Sequence, residues 1–248
     1  MGLGKRASFA EGTANPTSPS PMSSLYVQTS SPRTPRTPRD KDWDEEARLL
    51  FRRLNMEGIR SREKYRNMDC VYQHPGTGAK LFIGNQTAAR SESVLASEAI
   101  FHVVNCQDAS TANFFERDPR FSYKRFPVSH WWRAPKVETH AGILAFFEHG
   151  CHAWIDSKLA AGHNVMVHCL AGAHRAGTTG VSFMMRKGHF DVVTAIRLAK
   201  WQRPIVDPVG QLLELLERLQ AAYEATGIRL VTTAPPRALV RANLLADD

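Results

Sequence analysis

The stretch VMVHCLAGAHRAGTTG, residues 165–180, holds the residues best spaced for chemistry. Apolar VMV reads as a buried strand that delivers Cys169 at its end, and TTGVSFMMRKG reads as the helix after it. Gly172 and Gly177 relax the backbone between them. A strand that turns through such a loop into a helix lines up backbone N–H groups at the helix N-terminus, a cradle for a tetrahedral oxyanion. An electropositive pocket of this kind favours a cysteine's reactive thiolate form. Arg175, six residues beyond Cys169, is placed to grip two oxygens of a phosphate with its planar fork. Leu170, Ala171, Gly172, Ala173 and His174 complete the expected phosphate-binding loop. The chemistry this set implies is attack of a thiolate on phosphorus, with a covalent phosphocysteine on the way.

The surrounding elements follow from hydrophobic periodicity. AKLFIG and IFHVVNC read as strands with a helix in SESVLASEA between them, and SYKRFPV reads as a further strand before the loop SHWWRAPK. One long helix is expected through ETHAGILAFFEHGCHAWIDSKLAAG, facing Ile143, Phe146, Phe147, Trp154 and Leu159 inward. DVVTAIRLAKWQ and GQLLELLERLQAAYEA read as two more helices, joined by a turn with Pro204 and Pro208. Strands alternating with helices predict an α/β fold, a central mostly parallel sheet flanked by helices.

The residues carry a resemblance. His168-Cys169-Leu170-Ala171-Gly172-Ala173-His174-Arg175 resembles the HCxxGxxR signature of cysteine-dependent protein phosphatases, and HCLAG is similar to dual-specificity phosphatases in particular. The flanks LFIGNQTAARSESVLASEAIFHVVNC and FMMRKGHFDVVTAIRLAKWQRPIVDPVGQLLELL, with the Arg203-Pro204 and Asp207-Pro208 turn, resemble the same family over about residues 80–220. The resemblance implies Cys169 as nucleophile, Arg175 as phosphate ligand and a phosphorylated protein as substrate. It implies neither metal nor organic cofactor, since the loop itself neutralises phosphate charge. Members of the family that act on phosphoinositides tend to carry lysines in this loop, so the resemblance, with apolar Leu170, Ala171 and Ala173 here, implies phosphoprotein rather than phosphoinositide. Both phosphotyrosine and phosphoserine or phosphothreonine are expected as targets.

Two positions depart from the family pattern. Where the resemblance places an aspartate general acid, this chain has His130, with Asp108 and Glu138 as the other candidate acids. After the arginine, where a hydroxyl residue assists the second step, it has Ala176, with Thr178 as the nearest replacement. These departures keep an alternative open, a weakly active or inactive phosphatase-like module that binds phosphorylated partners. The resemblance also directs attention to Cys106, which ends the strand in HVVNC as Cys169 ends the one in VMVHC, as a partner for a reversible disulfide.

The rest of the chain frames this domain. Residues 1–40 are rich in Ser, Thr and Pro and predict a disordered arm, in which Ser18, Ser20, Ser31, Thr34 and Thr37 precede prolines in the pattern of proline-directed kinase sites. Residues 41–69 predict an amphipathic helical segment, with Trp43, Ala47, Leu50, Phe51 and Leu54 at helical spacing, that docks on the catalytic domain at 70–223. Residues 224–248 predict a flexible tail. The net charge of +8, from 32 Lys and Arg against 24 acids, draws on scattered arginines such as Arg33, Arg36 and Arg39. With no dense basic block and no interleaved aromatics, nucleic acid is not expected as a partner. No apolar run approaches the roughly 20 residues of a membrane span. Four scattered cysteines without CxxC spacing fit neither a zinc site nor a secreted disulfide scaffold, and a cytoplasmic or nuclear location is expected.

Overall fold

A computed structural model of the chain describes residues 42–46, 48 and 65–232. The expected arm, the helical positions Leu50, Phe51 and Leu54, and residues 233–248 of the tail lie outside the described residues. Residues 43–46 are helical, and Asp42 caps that turn by accepting from the N–H groups of Asp44 and Glu45, both at 3.1 Å. From Met68 the elements run β1 (Met68–Gln73), β2 (Lys80–Gly84), α1 (Gln86–Ala89), α2 (Glu92–Ser97), β3 (Ile100–Asn105) and β4 (Ser122–Arg125). A 3-10 segment (Val128–Arg133), α3 (His140–Phe147), a π-helical turn (Glu148–His152) and α4 (Ala153–Ala160) come next. The chain then continues through β5 (Asn164–His168), α5 (Arg175–Gly188), α6 (Val192–Gln202) and α7 (Gln211–Ala225).

The five strands form one sheet in the order β1-β2-β5-β3-β4. All pairings are parallel except β1 with β2, as the alternation of strands and helices requires. Side chains alternate across the sheet. Val165 and Val167 of β5, with Leu81 and Ile83 of β2, face the layer built by α3 to α7. Met166 and Phe82 face the smaller layer of α1 and α2 with Leu95, Ile100 and Phe121. Helices cover both faces, so the parallel strands read as continuous apolar runs rather than as alternation. β5 lies at the centre, and its carboxyl end is where the loop to α5 begins. Side chains cap α1, α2, α3 and α6: Asn85, Ser91, Thr139 and Asp191 each accept from an N–H in the first turn. No helix among the described residues is long and apolar enough to cross a membrane.

The structure departs from the sequence reading in four places. β1 begins at Met68, inside the stretch expected to be helical, and adds an antiparallel edge strand. SHWWRAPK, expected to be irregular, contains the 3-10 segment. The helical run 140–160 is interrupted by the π turn, which inserts a residue and rotates α4 relative to α3. Ile143, Phe147, Cys151, Ile155 and Leu159 therefore form the buried stripe, whereas Phe146 and Trp154, expected to face inward, are only partly buried. Finally, the expected flexible tail is held through its first residues. α7 runs to Ala225, Val231 bridges to Phe190, and Thr232 donates to Asp191 at 2.5 Å.

The π turn carries a titratable liability. His152 is 1% exposed, stacked on Phe147 and hydrogen-bonded through Nε2 to the Ser182 hydroxyl at 2.9 Å. Burial, reinforced by the Arg186 cation, pushes its pKa down to about 3. A histidine whose folded pKa lies below its unfolded value of about 6.5 leaves stability intact above that value and drains it as pH falls towards the folded one. At pH 5 the loss is about 2 kcal/mol from this residue. The urea midpoint of the wild type should fall between pH 7.5 and 5, and that of His152→Gln should fall by less. Parallel pH dependence of the two proteins would rule His152 out as the source.

Candidate active site

Cys169 comes directly after β5 and is 2% exposed. Its sulfur accepts the Gly172 N–H at 3.3 Å. The loop that starts here is held by its carbonyls. Leu170 O accepts from the Gln86 N–H at 3.0 Å and Ala173 O from the Asp207 N–H at 3.1 Å. Ala171 O accepts from the Tyr65 hydroxyl at 2.7 Å and from Arg203 Nη2 at 3.1 Å, and Gly172 O from Arg203 Nε at 2.9 Å. In a trans peptide the N–H of the next residue points opposite to the carbonyl. Four carbonyls pulled outward therefore turn the amides of Ala171, Gly172, Ala173 and His174 inward. The result is an anion-binding nest. Gly172 is required at its place: its φ is +67°, and a Cβ there would sit 2.5 Å from Gly84 O. No side chain caps α5, so its first-turn amides are left to an anion.

Arg175 opens α5 with its side chain 3% exposed. Burial opposes its charge, but the neighbouring Cys169 and Asp44 outweigh that and raise its pKa above the ordinary arginine value. The guanidinium forms an ion pair with the Asp44 carboxylate through Nη2. Trp43, 5% exposed, packs its ring against that of His174 at 5.9 Å. His174, expected among the phosphate-binding residues, donates through Nδ1 to Asp207 O at 2.5 Å. Its ring braces the loop, and its contribution to the nest is the backbone amide. His168, fully buried beneath the loop, has its pKa pushed down to about 3 by burial, with the Arg125 and Arg175 cations adding to the effect.

The candidate acids resolve into one pair. His130 Nδ1 lies 3.2 Å from Asp108 Oδ1, and the Ser129 hydroxyl donates to the same oxygen at 3.1 Å. The 3-10 segment that carries Ser129 and His130 is pinned by Trp131, whose Nε1 donates to Gln211 O at 3.0 Å. Asp108 is also close enough to Arg175 to raise its pKa. Glu138 is exposed on the approach to α3. Ala176 is fully buried, and Thr178, its expected substitute, donates its hydroxyl proton to His174 O at 2.8 Å, which commits that proton to the helix backbone.

Cys106 comes after Asn105, which pairs in register with His168. Cys106 and Cys169 thus leave adjacent parallel strands about 4.8 Å apart, a backbone spacing that permits a disulfide. The Cys106 thiol donates to Thr179 Oγ1 at 3.3 Å, and complete burial pushes its pKa up to about 12.

The structure brings Cys169, the loop and Arg175 together as the spacing implied. It adds supports of the loop that the sequence reading passed over, Arg203, Tyr65 and Asn85, which donates to the Tyr65 hydroxyl at 2.7 Å, while Asp44 reaches Arg175 from the segment before the domain and is no part of the loop. Arg203 stood in the sequence only as part of an Arg-Pro turn, and nothing in its local pattern marked it as a loop ligand. Among the described residues no group of three or more His, Cys, Asp or Glu side chains is arranged to hold a metal ion.

Comparison with known proteins agrees with this geometry. The model of the dual specificity phosphatase catalytic domain matches residues 81–220, more than half of the chain. Human dual specificity protein phosphatase 9 is 30% identical over 144 residues, 56% of this chain and 35% of that protein. Dual specificity protein phosphatase MPK-4 of Drosophila melanogaster is 29% identical over 151 residues, 61% of this chain and 36% of that protein. The chain thus spans about a third of the length of these curated relatives. In fold it is similar to a mouse protein described as a dual specificity phosphatase and crystallised with zinc tungstate. That match has a TM-score of 0.50 and 22% identity, and covers 69% of this chain and 97% of the other. Through its catalytic domain, the chain belongs to the dual specificity phosphatase family.

Proposed function

We propose that the chain is a protein phosphatase of dual-specificity type, hydrolysing phosphotyrosine and phosphoserine or phosphothreonine in protein substrates. The observation that carries this reading is the nest of inward amides beside Cys169, whose sulfur accepts the Gly172 N–H, with the buried Arg175 opening the helix that follows. The Cys169 thiolate attacks phosphorus, the bond to the substrate oxygen breaks, and that oxygen takes a proton from an acid. Water then attacks the phosphocysteine and gives a proton to the same group, now a base, as the S–P bond breaks and the thiolate is regenerated with inorganic phosphate. Inward amides and Arg175 meet the charge that develops on the three equatorial oxygens. Cysteine and arginine both retained at signature spacing weigh against the alternative of a binding module without turnover. The test is rapid quenching with a peptide carrying radiolabelled phosphotyrosine. Label recovered on the Cys169 peptide supports the reading, and turnover without such label removes the covalent step.

In this reading His130 is the acid. Asp108 orients its ring through Nδ1, which leaves Nε2 to hand the proton over, the division of labour of a carboxylate–histidine pair. Phosphoserine leaves as a poor alkoxide, whereas a phenol of pKa about 10 leaves with less help. His130→Ala should therefore cost roughly a hundredfold in kcat on a phosphoserine peptide and distinctly less on a phosphotyrosine peptide. Asp108→Asn should fall between wild type and His130→Ala on phosphoserine. Equal losses on the two peptides would rule His130 out as the leaving-group acid, and no loss on either would make it a bystander.

A further inference from the structure

Arg175 and His174, at the end of the phosphate loop, are in contact with residues from before the domain. Asp42 fixes the helical turn of residues 43–46 by side-chain capping and by its carbonyl, which accepts the Glu46 N–H at 3.0 Å. From that turn Trp43 packs against His174 of the loop while Asp44 places its carboxylate on Arg175. We infer that the phosphate loop is also a binding site for the chain's own acidic segment, and that Asp42–Glu46 competes there with phosphorylated substrates. The inference rests on the reading of Arg175 as the group that grips phosphate.

The competition is a matter of charge and geometry. A planar guanidinium that pairs with Asp44 is not free to present the same edge to a phosphate. A phosphate dianion in the nest would face the Asp44 carboxylate across one buried cation, and like charges so placed exclude each other. The Arg175 side chain is 3% exposed, so water screens this repulsion far less than at an open surface. Asp44 itself is 38% exposed, so it can leave without a large desolvation change, and Trp43 is the part of the segment that must be lifted from its packing. The chain therefore exists in a closed form, with Asp44 on Arg175, and an open form that accepts substrate. The apparent affinity for any phosphate ligand is the intrinsic affinity reduced by the open fraction.

The test uses the full chain with p-nitrophenyl phosphate as substrate and orthophosphate as inhibitor. If about nine-tenths of the molecules are closed, Asp44→Asn lowers both KM and the orthophosphate inhibition constant about tenfold, with kcat nearly unchanged. Asp44→Glu, which keeps the charge, should stay near wild type. A synthetic peptide of residues 41–48 added to the Asp44→Asn protein should compete with substrate, and the same peptide with asparagine in place of Asp44 should not. Robust turnover with both constants unchanged in Asp44→Asn, and no competition by the peptide, would overturn the inference while leaving the phosphatase reading intact. Conversely, if neither protein turns over but calorimetry finds tighter orthophosphate binding to Asp44→Asn, the closing contact stands and the phosphatase reading falls.

Discussion

Cys169→Ser is expected to lower turnover by at least about a thousandfold, the scale of losing a nucleophile that acts with its site as a unit. A serine hydroxyl is far less acidic than a thiol, so the nest cannot generate a comparable attacking anion from it. The substitution is nearly isosteric, and its oxygen can accept the Gly172 N–H that the sulfur accepts at 3.3 Å. Leu170, Ala171, Gly172 and Ala173 remain tied by their carbonyls to groups outside the loop. Phosphate affinity and thermal midpoint should therefore stay close to wild type while kcat collapses. The decisive measurements are p-nitrophenyl phosphate turnover, orthophosphate affinity by calorimetry and a melting curve, all on the same preparation. A folded Cys169→Ser protein with turnover within tenfold of wild type would sink the covalent mechanism; equal loss of affinity and turnover would mean that the sulfur also holds the loop together.

The loop from Cys169 to Arg175 was legible in the sequence because its geometry is local. A cysteine, a glycine at positive φ and an arginine at the start of a helix can meet one phosphate only at fixed spacing, and that spacing is written in seven consecutive residues. The central strand and the helices around it were legible for a similar reason, since apolar period alone places Val165, Met166 and Val167 in a buried strand. What escaped depends on contacts between distant residues. β1 carries Asp69 where an apolar residue would have marked a strand, and that carboxylate is tolerated because Arg203, 134 residues away, pairs with it. Trp154, expected inward, is only partly buried and Ile155 takes the buried stripe instead, because a π turn cannot be read from a helical period that assumes uniform rotation. The helix expected to dock through Trp43 does bury that ring, but the landing of Asp44 on Arg175 spans 131 residues and leaves no trace in local pattern.

Arg203 shows how far the site depends on such a distant contact. Its guanidinium, with a side chain 1% exposed, donates to Gly172 O, Ala171 O and Arg66 O and pairs with Asp69 Oδ2 at 2.7 Å. One side chain thus anchors β1 and sets the direction of two loop carbonyls. Arg203→Met should destabilise the fold by about 3–5 kcal/mol, because it leaves the Asp69 carboxylate buried beside only the largely exposed Arg66. Adding Asp69→Leu should recover a large part of that loss, since an apolar pair of similar volume carries no unpaired charge. The phosphate site should not recover with it. Without Arg203 the Gly172 carbonyl loses its side-chain donor and the Ala171 carbonyl keeps only the Tyr65 hydroxyl, so the amides of Ala173 and Gly172 are held less firmly towards the nest. The double variant should therefore melt near wild type yet bind orthophosphate about tenfold more weakly, roughly the 1.4 kcal/mol of a single charge-assisted contact. Melting curves and orthophosphate calorimetry on wild type, Arg203→Met and the double variant separate the two effects. If affinity returns together with stability, Arg203 serves the fold alone; if stability returns and affinity does not, Arg203 is a positioning residue of the phosphate loop.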